Sequence, residues 1–164
     1  MEKRIIYIMG VSGSGKTTIG QLLSQKTGIP FFDADDFHSA ANKEKMKAGH
    51  PLTDEDRREW LHQINTLAIE QTPLKGAVIA CSALKEKYRN VLSSGIEKPL
   101  WVLLQGSYEI IYQRLKKRQG HYMPASLLQS QFDNLELPAD ALAVSIEKDP
   151  EEIIALICKE LKEK

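Results

Sequence analysis

The stretch Gly10-Val11-Ser12-Gly13-Ser14-Gly15-Lys16-Thr17-Thr18 satisfies G-x-x-x-x-G-K-[ST]. Glycines at this spacing let the backbone wrap phosphate oxygens with its N–H groups, and a following helix N-terminus adds partial positive charge. Lys16 would reach the β- and γ-phosphates of a nucleotide and the Thr17 hydroxyl would ligate magnesium. The alternative is a Gly-rich turn with an exposed lysine. An apolar strand candidate before the motif and a helical pattern after it favour the nucleotide.

Asp33-Ala34-Asp35-Asp36-Phe37-His38 follows a second apolar run, Pro30 to Phe32. Extended side chains alternate, which would aim Asp33 and Asp35 to one side and Asp36 to the other. In an open parallel sheet this strand end faces the ligand crevice, beside the phosphate loop if the strand neighbours the first. Two carboxylates near a triphosphate make sense with magnesium between, or with a hydroxyl to hold. Asp33 is thus the candidate for the magnesium shell, and Asp35 the candidate to bond an accepting hydroxyl and take its proton. The competing reading is an acidic turn that caps the next helix, which suits Asp36 best. His38 is either a substrate contact or a local hydrogen-bonding residue.

Three cationic features complete the set. Arg57 falls on the apolar stripe of a helix carrying Trp60, Leu61 and Ile64, and its anion is either Asp54 at i−3 or a substrate carboxylate. Lys85 and Arg89, four apart after a third strand candidate, point to a substrate contact or to a solvated cationic face. Arg114, Lys116, Lys117 and Arg118 lie in a segment, Ile110 to Phe132, that holds no acid. Arg114 and Arg118 share a helix face, and Gly120-His121-Tyr122-Met123-Pro124 then breaks the helix. This pattern suits a lid that excludes water and delivers Arg118 to a transferring phosphoryl group. An RNA-binding patch fits less well, since aromatic interleaving stops at Tyr122.

These groups need a scaffold, and the chain's pattern supplies one. Apolar runs at Ile5 to Met9, Pro30 to Phe32, Ala77 to Ala80, Leu100 to Leu104 and Leu142 to Ile146 alternate with helical patterns, as in a parallel sheet covered on both faces. One helix should span Lys16 to Thr27, with Gly28 just past its end; the last begins at Asp149-Pro150. About 45 residues separate the second and third strands, more than a crossover requires, so an insertion at about 38–72 should choose the substrate. It holds a weak helix around Asn42 to Ala48 and a better one capped by Thr53 and Asp56.

The 164 residues suit one domain with the insertion and a lid at about 119–134. The 22 basic and 22 acidic side chains cancel, which excludes a polybasic nucleic-acid binder. The cancellation is segmental: Asp33 to Glu59 carries eight acids against five bases. Cys81 and Cys158 lie far apart without metal-ligand spacing and read as reduced core residues. No apolar run is long enough for a membrane span, and a cytoplasmic protein is expected. The third strand candidate ends in Cys81-Ser82 without the acid usual in P-loop proteins, so Asp33 would replace it.

Taken together, GVSGSGKTT, DADDFH, NKEKMKAGHPLTDEDR with WL, CSALKEKYR and RLKKRQGHYMPASLLQSQFDNLELP closely resemble the bacterial gluconate kinases, P-loop small-molecule kinases. The resemblance spans about Gly10 to Pro138. It implies transfer of the ATP γ-phosphoryl group to the 6-hydroxyl of D-gluconate, with magnesium, in a family commonly dimeric. It also implies a three-layer α/β fold around a five-stranded parallel sheet in the order 2-3-1-4-5. The more distant shikimate kinases place an Asp-x-Asp like Asp33 and Asp35 at magnesium and substrate hydroxyl. In the wider group, the arginine matching Arg114 packs on adenine and that matching Arg118 reaches phosphate. Arg57 or Lys85 would suit the gluconate carboxylate, and Asp35 and His38 its hydroxyls. Ala34, Ser39 and Glu59 depart from the family pattern, which often has glycine at the first position and usually proline at the other two. Kinases for another hydroxy acid such as shikimate, and a nucleotide-dependent switch without an acceptor, remain the alternatives.

Overall fold

Ile5 to Met9 is apolar without interruption because its strand is covered on both faces. A computed structural model describes residues 3–118 and 125–163 and places β1 at Arg4–Met9, at the centre of the sheet. Ile6 and Ile8 enter one core, while Ile5, Tyr7 and Met9 enter the other. The remaining strands are β2 (Phe31–Asp33), β3 (Gly76–Ala80), β4 (Leu100–Gln105) and β5 (Leu142–Ser145). All pairings are parallel and the order is β2-β3-β1-β4-β5, as the resemblance implied. The register runs from Arg4 opposite Gly76 to Ile8 opposite Ala80, and from Ile6 opposite Leu100 to Met9 opposite Leu103.

The helices are α1 (Lys16–Thr27), α2 (Ala40–Lys47), α3 (Asp54–Gln71), α4 (Glu86–Ser93), α5 (Tyr108–Lys117), α6 (Ala125–Asn134) and α7 (Pro150–Glu163). Residues of α1, α5, α6 and α7 pack with one core, and residues of α3 and α4 with the other. The bounds of α1 match the expectation, and Gly28 closes it at φ 77° with its N–H on the Ser24 carbonyl. At α3 the expected capping box is complete: Thr53 Oγ1 accepts from the Asp56 N–H at 3.1 Å, and the Asp56 carboxylate accepts from the Thr53 N–H at 2.8 Å. The range 38–72 holds α2 and α3. Of the range 119–134, residues 119–124, including the expected helix break, lie outside the described residues.

β3 lies between β2 and β1, as the order 2-3-1-4-5 requires, so β2 does not neighbour β1 directly. Other local expectations are corrected. The backbone does not stay extended past Asp33: Ala34–Phe37 forms a 3-10 turn, capped by the Asp33 carboxylate on the Asp35 N–H at 3.0 Å. Asp33, and not Asp36, therefore supplies the cap. The first insertion helix begins at Ala40 rather than Asn42, because Ser39 Oγ accepts from the Asn42 N–H at 3.1 Å. Serine at a position where the resemblance expects proline thus starts the helix. Arg89 is buried and not a solvated cation: it donates to the carbonyls of Ala83 at 2.7 Å and Glu136 at 2.8 Å. Cys81 is buried, and burial pushes its thiol up to about 12, whereas Cys158 is only half-buried on α7.

Candidate active site

The phosphate loop leaves β1 at Gly10 and enters α1 at Lys16. Gly13 takes φ 81°, and a Cβ there would lie 2.9 Å from Leu115, so glycine is required both by conformation and by the approach of α5. Lys16 Nζ donates to the carbonyls of Gly10 and Val11, each at 3.1 Å. Burial pulls its ammonium below the ordinary lysine range and Arg118 adds to this, while Asp35, Cys81 and Asp33 oppose it. The ammonium and both carboxylates therefore share one local field.

Thr17 Oγ1 donates to Asp33 Oδ2 at 2.9 Å, so the loop hydroxyl and the acid of β2 meet although their strands are not adjacent. No group of three or more His, Cys, Asp or Glu among the described residues could hold a metal ion alone. A hydroxyl with one neighbouring carboxylate is the donor set suited to magnesium, which keeps several waters and takes its other ligands from phosphate. Asp35 is an exposed residue, yet the protein packed around its carboxyl pushes it above the usual range, with Lys16 opposing.

One pocket joins this loop to the insertion. Ser12, Lys16, Asp35, His38, Arg57 and Trp60 all line it. His38 is buried and stacks on Trp60 with ring centroids 4.0 Å apart and planes 15° from parallel. Burial first, then the charges of Arg57 and Lys43, lowers its imidazole to about 4, so the ring is neutral at physiological pH. Arg57 donates to the Leu52 carbonyl at 2.6 Å and the Tyr88 hydroxyl at 3.2 Å, with its guanidinium 5.1 Å from the Tyr88 ring centroid. Asp54, the bland partner for Arg57, is instead held by Lys87 and Tyr88. Among the described residues no carboxylate forms an ion pair with Arg57, which leaves it able to grip an anion in the pocket.

Lys85 is not brought into this group. It precedes α4, with its ammonium 5.9 Å from the Tyr88 ring centroid, and does not line the pocket. Behind the phosphate loop, a second cavity is bordered by Ser14, Gly15, Thr18, Arg114, Arg118 and Pro150. Arg114 donates there to the Ile146 carbonyl at 2.7 Å, which leaves a flat guanidinium face beside the cavity.

Sequence reasoning missed the contribution of α6. Ser130, Gln131 and Asn134 also line the first pocket, at i, i+1 and i+4. The Gln131 side chain clasps the phosphate loop, accepting from the Ser12 N–H at 2.7 Å and donating to Ser12 Oγ at 3.1 Å. The polar spacing on this helix is visible in the chain, but the same stripe would serve a solvent-facing surface equally well.

A parallel sheet in this order, with a phosphate loop after its central strand and a polar pocket joining that loop to a helical insertion, defines a P-loop small-molecule kinase. The family model described as shikimate kinase matches residues 12–161. A probable gluconokinase of Mus musculus is 43% identical over 96% of this chain and 97% of its own length. A sugar kinase crystal structure from Janibacter sp. HTCC2649 superposes with a TM-score of 0.89 at 42% identity, covering 98% of this chain and 95% of that one. A gluconokinase structure from Sinorhizobium meliloti 1021 gives 0.83 at 37% identity, covering 97% and 95%. The chain belongs to the gluconokinase family, within the shikimate kinase-type P-loop kinases.

Proposed function

We propose that this chain transfers the γ-phosphoryl group of ATP to the 6-hydroxyl of D-gluconate, giving 6-phosphogluconate and ADP. The observation that carries the reading is that Lys16 lines the same pocket as Asp35, His38 and the carboxylate-free Arg57. That pocket offers a cation for phosphate, a base for a hydroxyl, a donor for further hydroxyls and a guanidinium for a carboxylate. A polyhydroxy acid carries the complementary groups.

The loop Gly10-Val11-Ser12-Gly13-Ser14-Gly15 and Thr18 bind the phosphates through backbone N–H groups and the helix N-terminus. Lys16 binds the β- and γ-phosphates, and Thr17 and Asp33 are the residues that would hold magnesium. Magnesium, when bound, neutralises charge on the β- and γ-oxygens. Asp35 orients the 6-hydroxyl and receives its proton as the new O–P bond forms; the bond to the β–γ bridging oxygen breaks and ADP leaves with that electron pair. Arg118 meets charge on the transferring group, and Arg114 packs on adenine. Arg57 holds the carboxylate and His38 a further hydroxyl, while Lys85 is left without a role in this reading. One domain, with residues 38–72 selecting the acceptor and 119–134 as lid, and a cytoplasmic location are inferred from the length and patterning of the chain, and a homodimeric state from the family resemblance.

The test is ATP consumption coupled to 6-phosphogluconate formation, against a panel that includes shikimate and other sugar acids. Turnover with gluconate well above every other acceptor is expected. Background turnover with gluconate, or preference for another acid, would overturn the assignment of the acceptor.

A further inference from the structure

His38 and Asn42 form a pair whose protons are fixed by their surroundings. Asn42 is 7% exposed, and its Nδ2 donates to the backbone carbonyl of Asp56 at 2.7 Å. A carbonyl oxygen only accepts, so the atom facing it must be the amide nitrogen. The same nitrogen lies 3.3 Å from Nδ1 of His38. With one N–H directed at each partner, Nδ1 has to present its lone pair. A proton on Nδ1 would set two donors against each other in a buried place, leaving both unsatisfied. The single proton of the neutral ring is then on Nε2.

The arrangement is held from several sides. Asp56 belongs to the α3 capping box, and Lys45 binds its carboxylate at 2.6 Å. The imidazole plane is fixed by Trp60, whose Nε1 donates to the Ala34 carbonyl at 2.7 Å. Arg57 on α3 and Lys43 on α2 surround the ring with positive charge, which disfavours a second proton.

We propose that Asn42 is a positioning residue that holds His38 as the Nε2–H tautomer, so that His38 acts only as a hydrogen-bond donor to a hydroxyl oxygen of the acceptor. The choice of a hydroxyl rests on the function proposed above; the tautomer does not. The reacting proton then has Asp35 as its destination, and no proton passes through the imidazole. The device also sets a preference, since a group at that place must carry a lone pair.

The experiment is nitrogen NMR of the full chain with labelled histidine near neutral pH, with His38 assigned by loss of its signals in His38→Gln. Protonated Nε2 and bare Nδ1 are expected; a protonated Nδ1, or a mixture of both tautomers, overturns the proposal. In Asn42→Asp a carboxylate faces Nδ1, so the proton should appear there. The gluconate KM should then rise about tenfold, the scale of one hydrogen bond, while the ATP KM holds. An unchanged tautomer and unchanged KM would also overturn it. Should Asn42→Asp fail to fold, the unsubstituted spectrum decides alone. Because that spectrum is read without acceptor, failure to phosphorylate gluconate would remove the proposed function and leave the tautomer result standing.

Discussion

Asp35 and His38 stand in the same pocket but are pushed in opposite directions by burial, and each shift has its own consequence. The Asp35 carboxyl lies above its ordinary range, so kcat should fall on acidification through that raised value. Asp35→Asn should cut kcat strongly with little change in the ATP KM, and should abolish that acid limb. A rise in the ATP KM alone would move Asp35 into the metal shell. His38 is held down at about 4, against ~6.5 in the unfolded chain. Between these values the unfolded chain binds a proton that the folded chain refuses, so stability falls as pH drops from about 6.5 to 4, by about 3 kcal/mol. Asp35 contributes the opposite slope above 3.8. Asp54, held near 2 by Lys87 and Tyr88, and Asp56, held near 2 by Lys45 and Thr53, weaken the fold only at still lower pH. Urea midpoints measured from pH 7 to pH 4.5 should decline, and decline less in His38→Gln; equal slopes would refute this account.

At the level of elements, the β1–β3 pair depends on a glycine. Gly76 takes φ 79°, and a Cβ there would lie 2.3 Å from the Arg4 carbonyl oxygen. Gly76→Ala should cost at least about 2 kcal/mol, from left-handed strain plus a backbone clash that no rotamer relieves. A denaturant midpoint equal to that of the parent chain would contradict it. The elements themselves were largely legible in the sequence wherever signals were local. Lys16 to Thr27 reads as a helix from its apolar spacing and the glycine after it, and α3 reads from Thr53 and Asp56. The turn after Asp33 was not legible, because an aspartate in this setting can continue a strand or cap a turn. Only its bond to the Asp35 N–H decides. Arg89 was misread for a related reason: helical spacing gives a face but not what meets it. The carbonyls it binds, Ala83 and Glu136, come from separate segments. In the site, Lys16, Asp35, His38 and Arg57 announced themselves by residue type. Ser130, Gln131 and Asn134 did not, since a neutral polar stripe looks the same beside a pocket or in water.

For the whole molecule, nucleotide binding and stability are one equilibrium. ATP with magnesium at a hundredfold excess over Kd should add about 2.7 kcal/mol to the folded state, raising Tm by about 5 to 10 °C. Lys16→Ala should lose both this shift and phosphoryl transfer. Near-parental kcat in that variant would refute the role given to the phosphate loop. The placement of β3 between β1 and β2 bears on how such an enzyme changes its substrate. Despite that separation, the bond from Thr17 to Asp33 ties the start of α1 to the end of β2. The donor side hangs on β1, while α2, α3 and α6 supply much of the acceptor side. The sheet is a chassis that keeps the transfer distance constant, and the acceptor-side parts are exchangeable modules. A lineage built this way can acquire a new substrate by rewriting the insertion, with the phosphate machinery inherited intact.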